Sequence, residues 1–543
     1  MVILVYPPQT ASLSRGQGNV NQIEETLSPF NNPGNVDPNL ITELTNAPGS
    51  TANIFIEFPV GSSIVLDRFE TLSFPSREDK ITNLRAALIA QASGTQAPLT
   101  GLLTLKNIPH TTFWITNQLF VPNANLELVK TIATFGTLVS WLRKEMVFPL
   151  IDPVKLRSDH TLGMSTIQAS VPWNLEIIGA NCPTIEKPGD GIVVSHIDTG
   201  VLFTHVELID SMRLTYNWFD PVNRTEKPFD DNGHGTHTMG SIVGKTVGVA
   251  PHAKWITCRG CPGGSCPESP LIGCGQWVLC PTLPNNTKPD CRMIPHIVSN
   301  SWGDTIPSII SILLRDRFYL DVIKVWRACG IIPVFAAGNS GPACFSVGQP
   351  ASFSQVFSVG ATDMNDAIAY FSSRGPSFDN ITLSTGNQSS CLNICRPKTT
   401  NGLCIQPIIT PTVCAPGVDI RSSWNTSPNS FEVISGTSMA TPHVAGVIAL
   451  MIAENIGNNK GNLTYDEVFN ILTSTAVKID IWSKGLLSIL SDILCNGLIR
   501  PGICGYPNYV MGYGRVDACA AVTAVRNKAL NMAISTTDIL DEL

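Results

Sequence analysis

The stretch that most constrains the fold runs from Phe431 to Asn455, where a strand-like run turns sharply at Gly436 into an apolar helix. Pro442 has no backbone N–H and is tolerated only near a helix start, so the helix is predicted to begin within about one turn of Ser438. Ser438 would then lie at the positive end of the helix, beside unpaired N–H groups. Residues 444–453 are apolar on all sides, which predicts a buried helix, and about ten residues are too few to span a bilayer.

A serine in this position is a weak nucleophile unless a base lies beside it. His234, in the run from Asn232 to His237, can supply that base, and His237 is the alternative. Asp198 follows the strand-like run 191–197. Active sites of parallel α/β sheets lie at the carboxyl ends of strands, so Asp198 is a candidate for the acid that orients the base.

The order Asp, His, Ser along the chain is the subtilisin order. Nine segments within about residues 170–525 resemble the subtilases (subtilisin-like serine proteases), and most closely the bacillopeptidase F-like group. They are HIDTGV (196–201), DDNGHGTHTMG (230–240), GVAPHAKW (248–255), SNSWG (299–303), PVFAAGNSGP (333–342), FSSRGPS (371–377), APGVDIRSS (415–423), SGTSMATPHVAG (435–446) and GYGRVDA (512–518). This resemblance implies an α/β fold with a doubly wound, mostly parallel sheet.

The resemblance also implies a role for each site residue. Ser438 would attack the peptide carbonyl, His234 would accept its proton, and Asp198 would orient His234. The Asn339 amide and the Ser438 backbone N–H would stabilise the oxyanion. His196 and His443 are interpreted as packing residues. The residues expected to bind substrate are Ser299, Asn300, Ser301, Trp302, Gly303, Ala336, Ala337 and Gly338.

Composition changes along the chain predict its domains. Residues 1–50, rich in Pro, Gly, Asn and Ser, are predicted to be disordered. Residues 51–150 show a strand–helix–strand–helix order, with a strand at 112–121, which predicts a small α+β, ferredoxin-like unit. Its position resembles that of the family propeptide, an intramolecular chaperone and inhibitor; an unrelated accessory domain is the alternative. The end of this unit, near Phe148 to His160, is expected to enter the catalytic cleft. Residues 151–166 are predicted as a linker that Ser438 of the same chain cleaves between about 155 and 168, 167–525 as the catalytic domain, and 526–543 as a tail.

The cysteines predict an oxidising compartment. All sixteen lie between Cys182 and Cys519, as do six glycosylation sequons, at Asn223, Asn285, Asn380, Asn387, Asn425 and Asn462. This pattern predicts a secreted, disulfide-linked glycoprotein. Two Gly- and Pro-rich insertions, 258–291 and 377–414, are expected to pair their cysteines internally, although the Cys-x-x-Cys at 258–261 leaves zinc or redox roles open. The first residues do not resemble a signal peptide, so we expect the sequence to be incomplete there.

The remaining expectations concern partners and rival functions. A net charge of −7 without a basic run disfavours nucleic acid as a partner. We expect protein or peptide substrates, the chain's own propeptide as inhibitor, no membrane partner, and a monomer. No cofactor or metal is expected, because residues 240–250, where many subtilisins hold calcium, contain no Asp, Glu or Asn. Two rival functions are disfavoured. A catalytically dead subtilase scaffold would lack a triad residue, whereas all three are present. An ester hydrolase of the α/β-hydrolase type would need the motif Gly-x-Ser-x-Gly, which is not found here.

Overall fold

A computed structural model of the chain describes residues 35–151, 153–154, 171–307, 310–311, 317–384, 402–458, 460–479 and 506–528. These residues form two compact units. The first contains the chain up to Pro59, Ser93–Thr112 and Gln118–Glu145, and the second contains Val60–Ala92, Phe113–Asn117 and the chain from Met146 onward. The predicted boundaries of 51–150 for one domain therefore differ from the structure, because residues 60–92 and 113–117 pack within the second unit.

The first unit is built on a four-stranded sheet with the strand order β2–β3–β1–β4. Its strands are β1 (Ala52–Glu57), β2 (Thr111–Phe113), β3 (Gln118–Ala124) and β4 (Trp141–Lys144). The helices before residue 146 are α1 (Pro38–Asn46), α2 (Ser63–Glu70), α3 (Arg77–Leu105) and α4 (Leu126–Ala133). Strand β1 runs antiparallel to both β3 and β4. The elements follow in the order β1–α2–α3–β2–β3–α4–β4, which is the β–α–β–β–α–β order of a ferredoxin-like unit with α2 added after β1.

Helix α1 differs from the prediction that residues 1–50 are disordered. The Asp37 carboxylate caps the helix by accepting from the Asn39 N–H at 2.9 Å. Leu40, Ile41 and Leu44 lie at helical spacing and are buried in the core of the first unit. The Pro- and Asn-rich composition concealed this short amphipathic helix. Residues 1–34 lie outside the described residues.

The single strand predicted at 112–121 is two strands, β2 and β3. Residues 114–117 form the turn between them, and Asn117 has a positive φ of 51°, which Asn tolerates better than most residues. Side chains also fix two helix starts. Ser76 and Asp79 hydrogen-bond to each other before α3, and the Asn125 side chain accepts from the Leu128 N–H at 2.9 Å.

The second unit contains a seven-stranded sheet with the order β15–β12–β11–β10–β6–β8–β7, in which every pair of neighbours is parallel. The strands from residue 146 onward are β5 (Val147–Pro149), β6 (Val193–Asp198), β7 (Trp218–Phe219), β8 (Lys254–Arg259), β9 (Ser265–Pro267), β10 (Ile297–Asn300), β11 (Ile332–Ala336), β12 (Phe357–Thr362), β13 (Ser377–Ser384), β14 (Gly402–Ile408), β15 (Val413–Pro416), β16 (Ile420–Ser423) and β17 (Phe431–Ile434). The chain adds β8 and β7 on one side of β6 and the later strands on the other. The predicted doubly wound α/β fold is confirmed, with Asp198 at the point where the strand order reverses.

Helices cover both faces of this sheet. They are α5 (Trp173–Ile177), α6 (His234–Val243), α7 (Glu268–Leu279), α8 (Leu320–Ala328), α9 (Thr437–Gly457) and α10 (Tyr465–Thr475). Val334 of β11 belongs to the large core that includes residues of α6 and α9. Its neighbour Phe335 packs edge-on against Tyr319, which contacts Trp326 of α8 in the same way. Because successive strand residues point to opposite faces, these helices lie on opposite sides of the sheet.

Helix α9 is the central helix of the second unit, and its residues 437–452 are all buried. It has 21 residues, about twice the length of the apolar run that the sequence suggested. By length and composition it could cross a membrane, but 83% of its most apolar window is buried inside the protein. Core helices of globular proteins have this property as well.

The cysteine-rich segment 258–291 is more ordered than predicted. It contains the buried helix α7, whose apolar residues pack against β8 and α8. Three disulfides lie within the segment, Cys258–Cys274, Cys261–Cys266 and Cys280–Cys291, which agrees with the internal pairing expected there. Cys258 and Cys261, the two cysteines of the possible zinc motif, are therefore bonded to other cysteines.

The other cysteines only partly follow the expectation. Cys182 pairs with the distant Cys519, and Cys344 is also disulfide-bonded. Cys329 and Cys414 are buried free thiols. Cys414 was expected to pair within the insertion 377–414, but it lies in the central sheet as part of β15. The hairpin β13–β14 occupies the rest of that insertion, and residues 385–401 lie outside the described residues. At the C-terminus, helix continues through residue 528, past the predicted tail boundary at 526.

Candidate active site

Ser438 is the second residue of α9, where the sequence placed it. Pro442, four residues later, cannot donate to the Ser438 carbonyl as an ordinary helical residue would. The hydroxyl of Ser301 donates to that carbonyl instead, at 3.2 Å. The helix start is therefore fastened to the end of β10, and the first-turn N–H groups lie beside the Ser438 hydroxyl.

His234 begins α6, and its Nδ1 lies 2.8 Å from Oδ1 of Asp198 at the end of β6. Each of the two side chains is only 1% exposed to solvent. Burial alone would raise the pKa of Asp198, but the charge and hydrogen bond of His234, together with the Thr199 N–H, hold that pKa below its usual value. Asp198 is thus an ionised acceptor that favours the tautomer of His234 with the proton on Nδ1.

The turn before His234 requires glycine. Gly233 has a φ of 110°, and a Cβ there would lie 2.6 Å from the Trp424 ring. A larger residue would be strained and would displace the indole. The Asp230 carboxylate accepts from the N–H groups of Asn232, Gly233 and Thr236, so the loop that positions His234 is closed by one side chain.

The other histidines have structural contacts. His237 donates from Nε2 to the Ile420 carbonyl at 3.0 Å, and burial together with the nearby His234 lowers the pKa of His237 to about 3. Both ring nitrogens of His196 and of His443 are hydrogen-bonded inside the protein. These contacts favour His234 over His237 as a base and agree with a packing role for the other two.

Asn339 lies beside Ser438 in an orientation that its neighbours determine. Its Oδ1 accepts from the N–H of Thr437 at 3.0 Å and from the Thr437 hydroxyl at 2.9 Å. Its Nδ2 lies on the other side, 3.3 Å from where a Cβ on Gly436 would be. The amide N–H groups are therefore directed toward the turn that carries Ser438.

Residues 146–151 and 153–154 lie in this site with extended backbone. Strand β5 pairs antiparallel with β9, the Ile151 N–H donates to the Ser301 carbonyl at 3.5 Å, and the Val154 N–H donates to the Ser435 carbonyl at 2.7 Å. Between these contacts, the Ser438 hydroxyl donates to the Ile151 carbonyl at 3.0 Å. A peptide carbonyl of the chain thus lies next to the proposed nucleophile.

Alternate side chains of this segment are buried. Phe148 is 4% exposed and stacks on Phe318 with ring centroids 4.1 Å apart, whereas Val147 is 59% exposed. Leu150 and Ile151 are also buried. The site therefore buries three apolar side chains: those of Ile151, whose carbonyl meets Ser438, of Leu150 before it, and of Phe148, which stacks on an aromatic ring.

The predicted substrate-binding residues divide into three groups. Ser301 and Trp302 meet the extended segment, through the Ile151 N–H and a bridge with Leu150, and Gly303 follows them. Ser299 and Asn300 lie inside the sheet, paired with β6 and β11, and the Asn300 amide donates to backbone carbonyls there. Ala336, Ala337 and Gly338 are buried at the end of β11, and the Gly338 N–H donates to Thr437.

Three contacts with the extended segment were missed from the sequence: the edge strand β9, the Ser435 carbonyl and the Phe318 ring. The contacts of β9 and Ser435 use backbone atoms, which leave no residue signature. The dipeptide Phe318-Tyr319 before α8 was the available signal for an aromatic wall, since large aromatic side chains often line binding clefts.

No metal cluster is evident at this site. Within the described ranges, no group of three or more His, Cys, Asp or Glu side chains could hold a metal ion. In the segment where the sequence argued against calcium, the N–H and hydroxyl of Thr246 bind the carboxylate of Glu207 at 2.7 Å each.

Comparisons with known proteins agree with this geometry. The subtilase family model matches residues 189–497, more than half of the chain. Bacillopeptidase F of Bacillus subtilis is 31% identical over 442 residues, which cover 76% of this chain but 26% of that protein. A cuticle-degrading serine protease of Arthrobotrys oligospora is 32% identical over 53% of this chain and 57% of its own length. An extracellular serine proteinase of a Thermus species is 28% identical over 61% of this chain and 69% of its own length.

The chain thus spans about a quarter of the first of these relatives and less than two thirds of the second. The family match includes Asp198, His234, Asn339 and Ser438. The chain therefore belongs to the subtilase family of subtilisin-like serine peptidases.

Proposed function

We propose that this protein is a serine endopeptidase in which Ser438 is the nucleophile, His234 the general base and Asp198 the carboxylate that orients it. One observation carries the proposal: the Ser438 hydroxyl lies 3.0 Å from a peptide carbonyl, that of Ile151. The 2.8 Å contact between His234 and Asp198 supports the roles of base and orienting carboxylate. Family membership supports the same reaction.

In this mechanism, Ser438 Oγ attacks the carbonyl carbon of the substrate as its proton passes to Nε2 of His234. The C–N bond then breaks, and the same proton passes from His234 to the leaving amine. Water attacks the acyl–enzyme with His234 again as base, which releases the acid and restores Ser438. Asp198 keeps its charge throughout and stabilises the imidazolium, which agrees with its lowered pKa.

The tetrahedral oxyanion would be stabilised by Asn339 Nδ2 and by the Ser438 N–H at the helix start. The fixed Asn339 orientation supports this role, since both Thr437 donors occupy its oxygen. Donors held in place before the reaction need no reorganisation as charge develops.

The N-terminal region would act as an inhibitory propeptide whose last residues occupy the cleft. The pairing of β5 with β9 and the contact between Ile151 and Ser438 support this role. The sequence suggested cleavage between about 155 and 168, whereas the Ile151 carbonyl favours the bond from Ile151 to Asp152. The cleaved segment would remain as a product inhibitor, because its backbone is already in the bound conformation.

The segment also suggests the substrate class. Extended protein or peptide chains would bind through backbone hydrogen bonds, with apolar residues immediately before the cut bond and a large aromatic residue four positions before it, where Phe148 lies. The buried surroundings of Phe148, Leu150 and Ile151 support this preference.

We further propose that the protein is secreted and acts as a monomer without a nucleic-acid or membrane partner. Four disulfides join cysteines that both lie in the described ranges, and they support an oxidising compartment. The similarity to an extracellular serine proteinase of a Thermus species supports the same location. The sequon residues Asn223, Asn285 and Asn462 are exposed, so glycans could attach there. Asn425 is partly buried and donates to the Asp230 carbonyl, which makes it a poor acceptor.

Labelling with a fluorophosphonate tests the proposal. Wild-type protein should be labelled on the peptide that contains Ser438, and Ser438→Ala should be unlabelled while keeping the far-ultraviolet circular dichroism of wild type. N-terminal sequencing should find a new end at Asp152 in wild type and an intact chain in the variant. Absence of labelling in folded wild type would favour a non-catalytic scaffold. Equal processing of the purified variant would refute self-cleavage.

A further inference from the structure

Strand β9 forms one wall of the cleft, yet it is an edge strand with little support of its own. Its three residues pair with β5, and within the described ranges no other strand pairs with it. If β5 leaves after cleavage, β9 loses this partner. An incoming substrate would then have to order β9 before pairing with it, and that ordering would weaken binding.

The chain that enters β9 contains two adjacent glycines. Gly263 and Gly264 both have positive φ, 62° and 87°, and glycine has the largest conformational entropy in the unrestrained chain. The Gly264 carbonyl nevertheless has a specific task, since it accepts from the Leu150 N–H at 3.4 Å. A restraint that acts in the empty cleft is therefore needed to keep this carbonyl and β9 in place.

The disulfide Cys261–Cys266 encloses these glycines. Cys266 is the central residue of β9 and lies opposite Phe148 in the β5–β9 pairing. Cys261 is buried, and its N–H donates at 3.1 Å to the carbonyl of Asp198. The bond thus links the substrate-facing edge strand to the end of the strand that carries the triad acid.

A second contact supports the same loop from the side of His234. The Gly263 N–H donates to the Asp231 carboxylate, which also pairs with the buried Arg259. Asp231 lies three residues before His234, so the loop is attached to both elements that carry the acid and the base. None of these attachments depends on the presence of β5.

We propose that the Cys261–Cys266 disulfide is a positioning element that keeps β9 ready to pair with extended substrates. The inference rests on the proposed peptidase function and adds a structural basis for preferring long peptides. Substrate residues three to five positions before the cut bond face β9, as residues 147–149 do in the structure. Substrates with only two residues before the cut bond meet this loop through one hydrogen bond, to the Gly264 carbonyl, and have no residue opposite β9.

The test compares two substrates with three forms of the enzyme, each expressed as the full chain and assayed after processing. The short substrate is acetyl-Leu-Ile-p-nitroanilide, and the long one is acetyl-Val-Phe-Pro-Leu-Ile-p-nitroanilide, which copies residues 147–151. The enzymes are wild type, Cys261→Ser with Cys266→Ser, and, as matched control, Cys280→Ser with Cys291→Ser. The control removes a disulfide at the far end of α7, about 18 Å along the helix from β9. Fluorophosphonate titration gives the concentration of active sites in each sample.

Removal of Cys261–Cys266 should raise KM for the long substrate about tenfold, which corresponds to about 1.4 kcal/mol, with kcat nearly unchanged. The short substrate should change by less than about twofold, and the control should behave as wild type with both. An equal change for the two substrates, or an equal change in the control, would overturn the proposal.

A second variant addresses loss of folding. Cys261→Ala with Cys266→Val keeps the buried site apolar, and it should show the same selective rise in KM. If neither disulfide variant yields labelled enzyme while the control does, the bond serves folding and the proposal is wrong. If wild type itself is not labelled, the proposed peptidase function fails instead.

Discussion

The aromatic contact at Phe148 allows a quantitative prediction about substrate preference. Phe148 is 4% exposed, and its ring stacks on Phe318 at 4.1 Å with an interplanar angle of 18°. Burial of a phenylalanine side chain contributes about 1.5–3 kcal/mol. An aromatic pair adds about 0.5–1.5 kcal/mol. Replacing this phenylalanine by alanine in a substrate should therefore remove about 2–4 kcal/mol, which is a fall of about 30- to 700-fold in kcat/KM.

The assay uses p-nitroanilides that copy residues 147–151, with one substitution at a time. The matched control replaces valine by alanine at the position of Val147, which is 59% exposed and should change kcat/KM by less than about twofold. The enzyme variant Phe318→Ala should reduce the preference for phenylalanine over alanine, because the stacking partner is gone.

Two results would refute this reasoning. Equal losses for the two substrate substitutions would mean that the alternation of buried and exposed side chains in β5 does not describe bound substrates. An unchanged preference in Phe318→Ala would mean that the selectivity arises elsewhere in the cleft.

Three further predictions follow from single residues. Asn339→Leu should lower kcat by about 10²–10³ with little change in KM, a magnitude carried over from subtilisin; a change mainly in KM would contradict the oxyanion role. Because the pKa of His237 is lowered to about 3, the unfolded chain binds a proton below pH 6.5 that the folded protein does not. This group should therefore lower the free energy of unfolding by about 2 kcal/mol between pH 6.5 and 4.5. In His237→Gln, the urea midpoint should depend less steeply on pH over that range. An unchanged pH dependence would mean that His237 does not cause the loss of stability. Arg77 donates to the carbonyls of Cys329 and Gly330. Arg77→Ala should therefore weaken inhibition by the cleaved N-terminal fragment about 10- to 100-fold, which would be measured as a shorter activation lag. The exposed Arg68→Ala is the control, and equal lags in the two variants would contradict the role of the Arg77 contact.

The start of α9 shows what could be predicted locally. Pro442 restricts the helix start and Ser438 lies four residues before it, so residues close together in the sequence contain the constraint. The same holds for Asp198 at a strand end and for the turn at Gly233. Short-range sterics determine such features, which is why the motifs indicated the fold class and the candidate triad without a structure.

Other features were not visible in the sequence because they depend on distant backbone atoms. The pairing of β5 with β9 uses N–H and C=O groups that every residue has, so the sequence placed a segment near residues 148–160 in the cleft only from its position before the linker and did not identify β9 as its partner. Helix α1 was overlooked for a different reason: its three buried side chains are stabilised by a core that the local composition does not show.

The sequence by itself determined the order and local setting of Asp198, His234 and Ser438, because glycine, proline and apolar runs restrict the chain over a few residues. The tertiary structure alone decided which cysteines pair and which peptide carbonyl meets Ser438. Cys261 bonds to Cys266 and not to Cys258, and Cys414 remains a thiol, because disulfide formation requires Cα atoms within about 7 Å with suitable directions. Those distances arise only when the strands and helices have packed together.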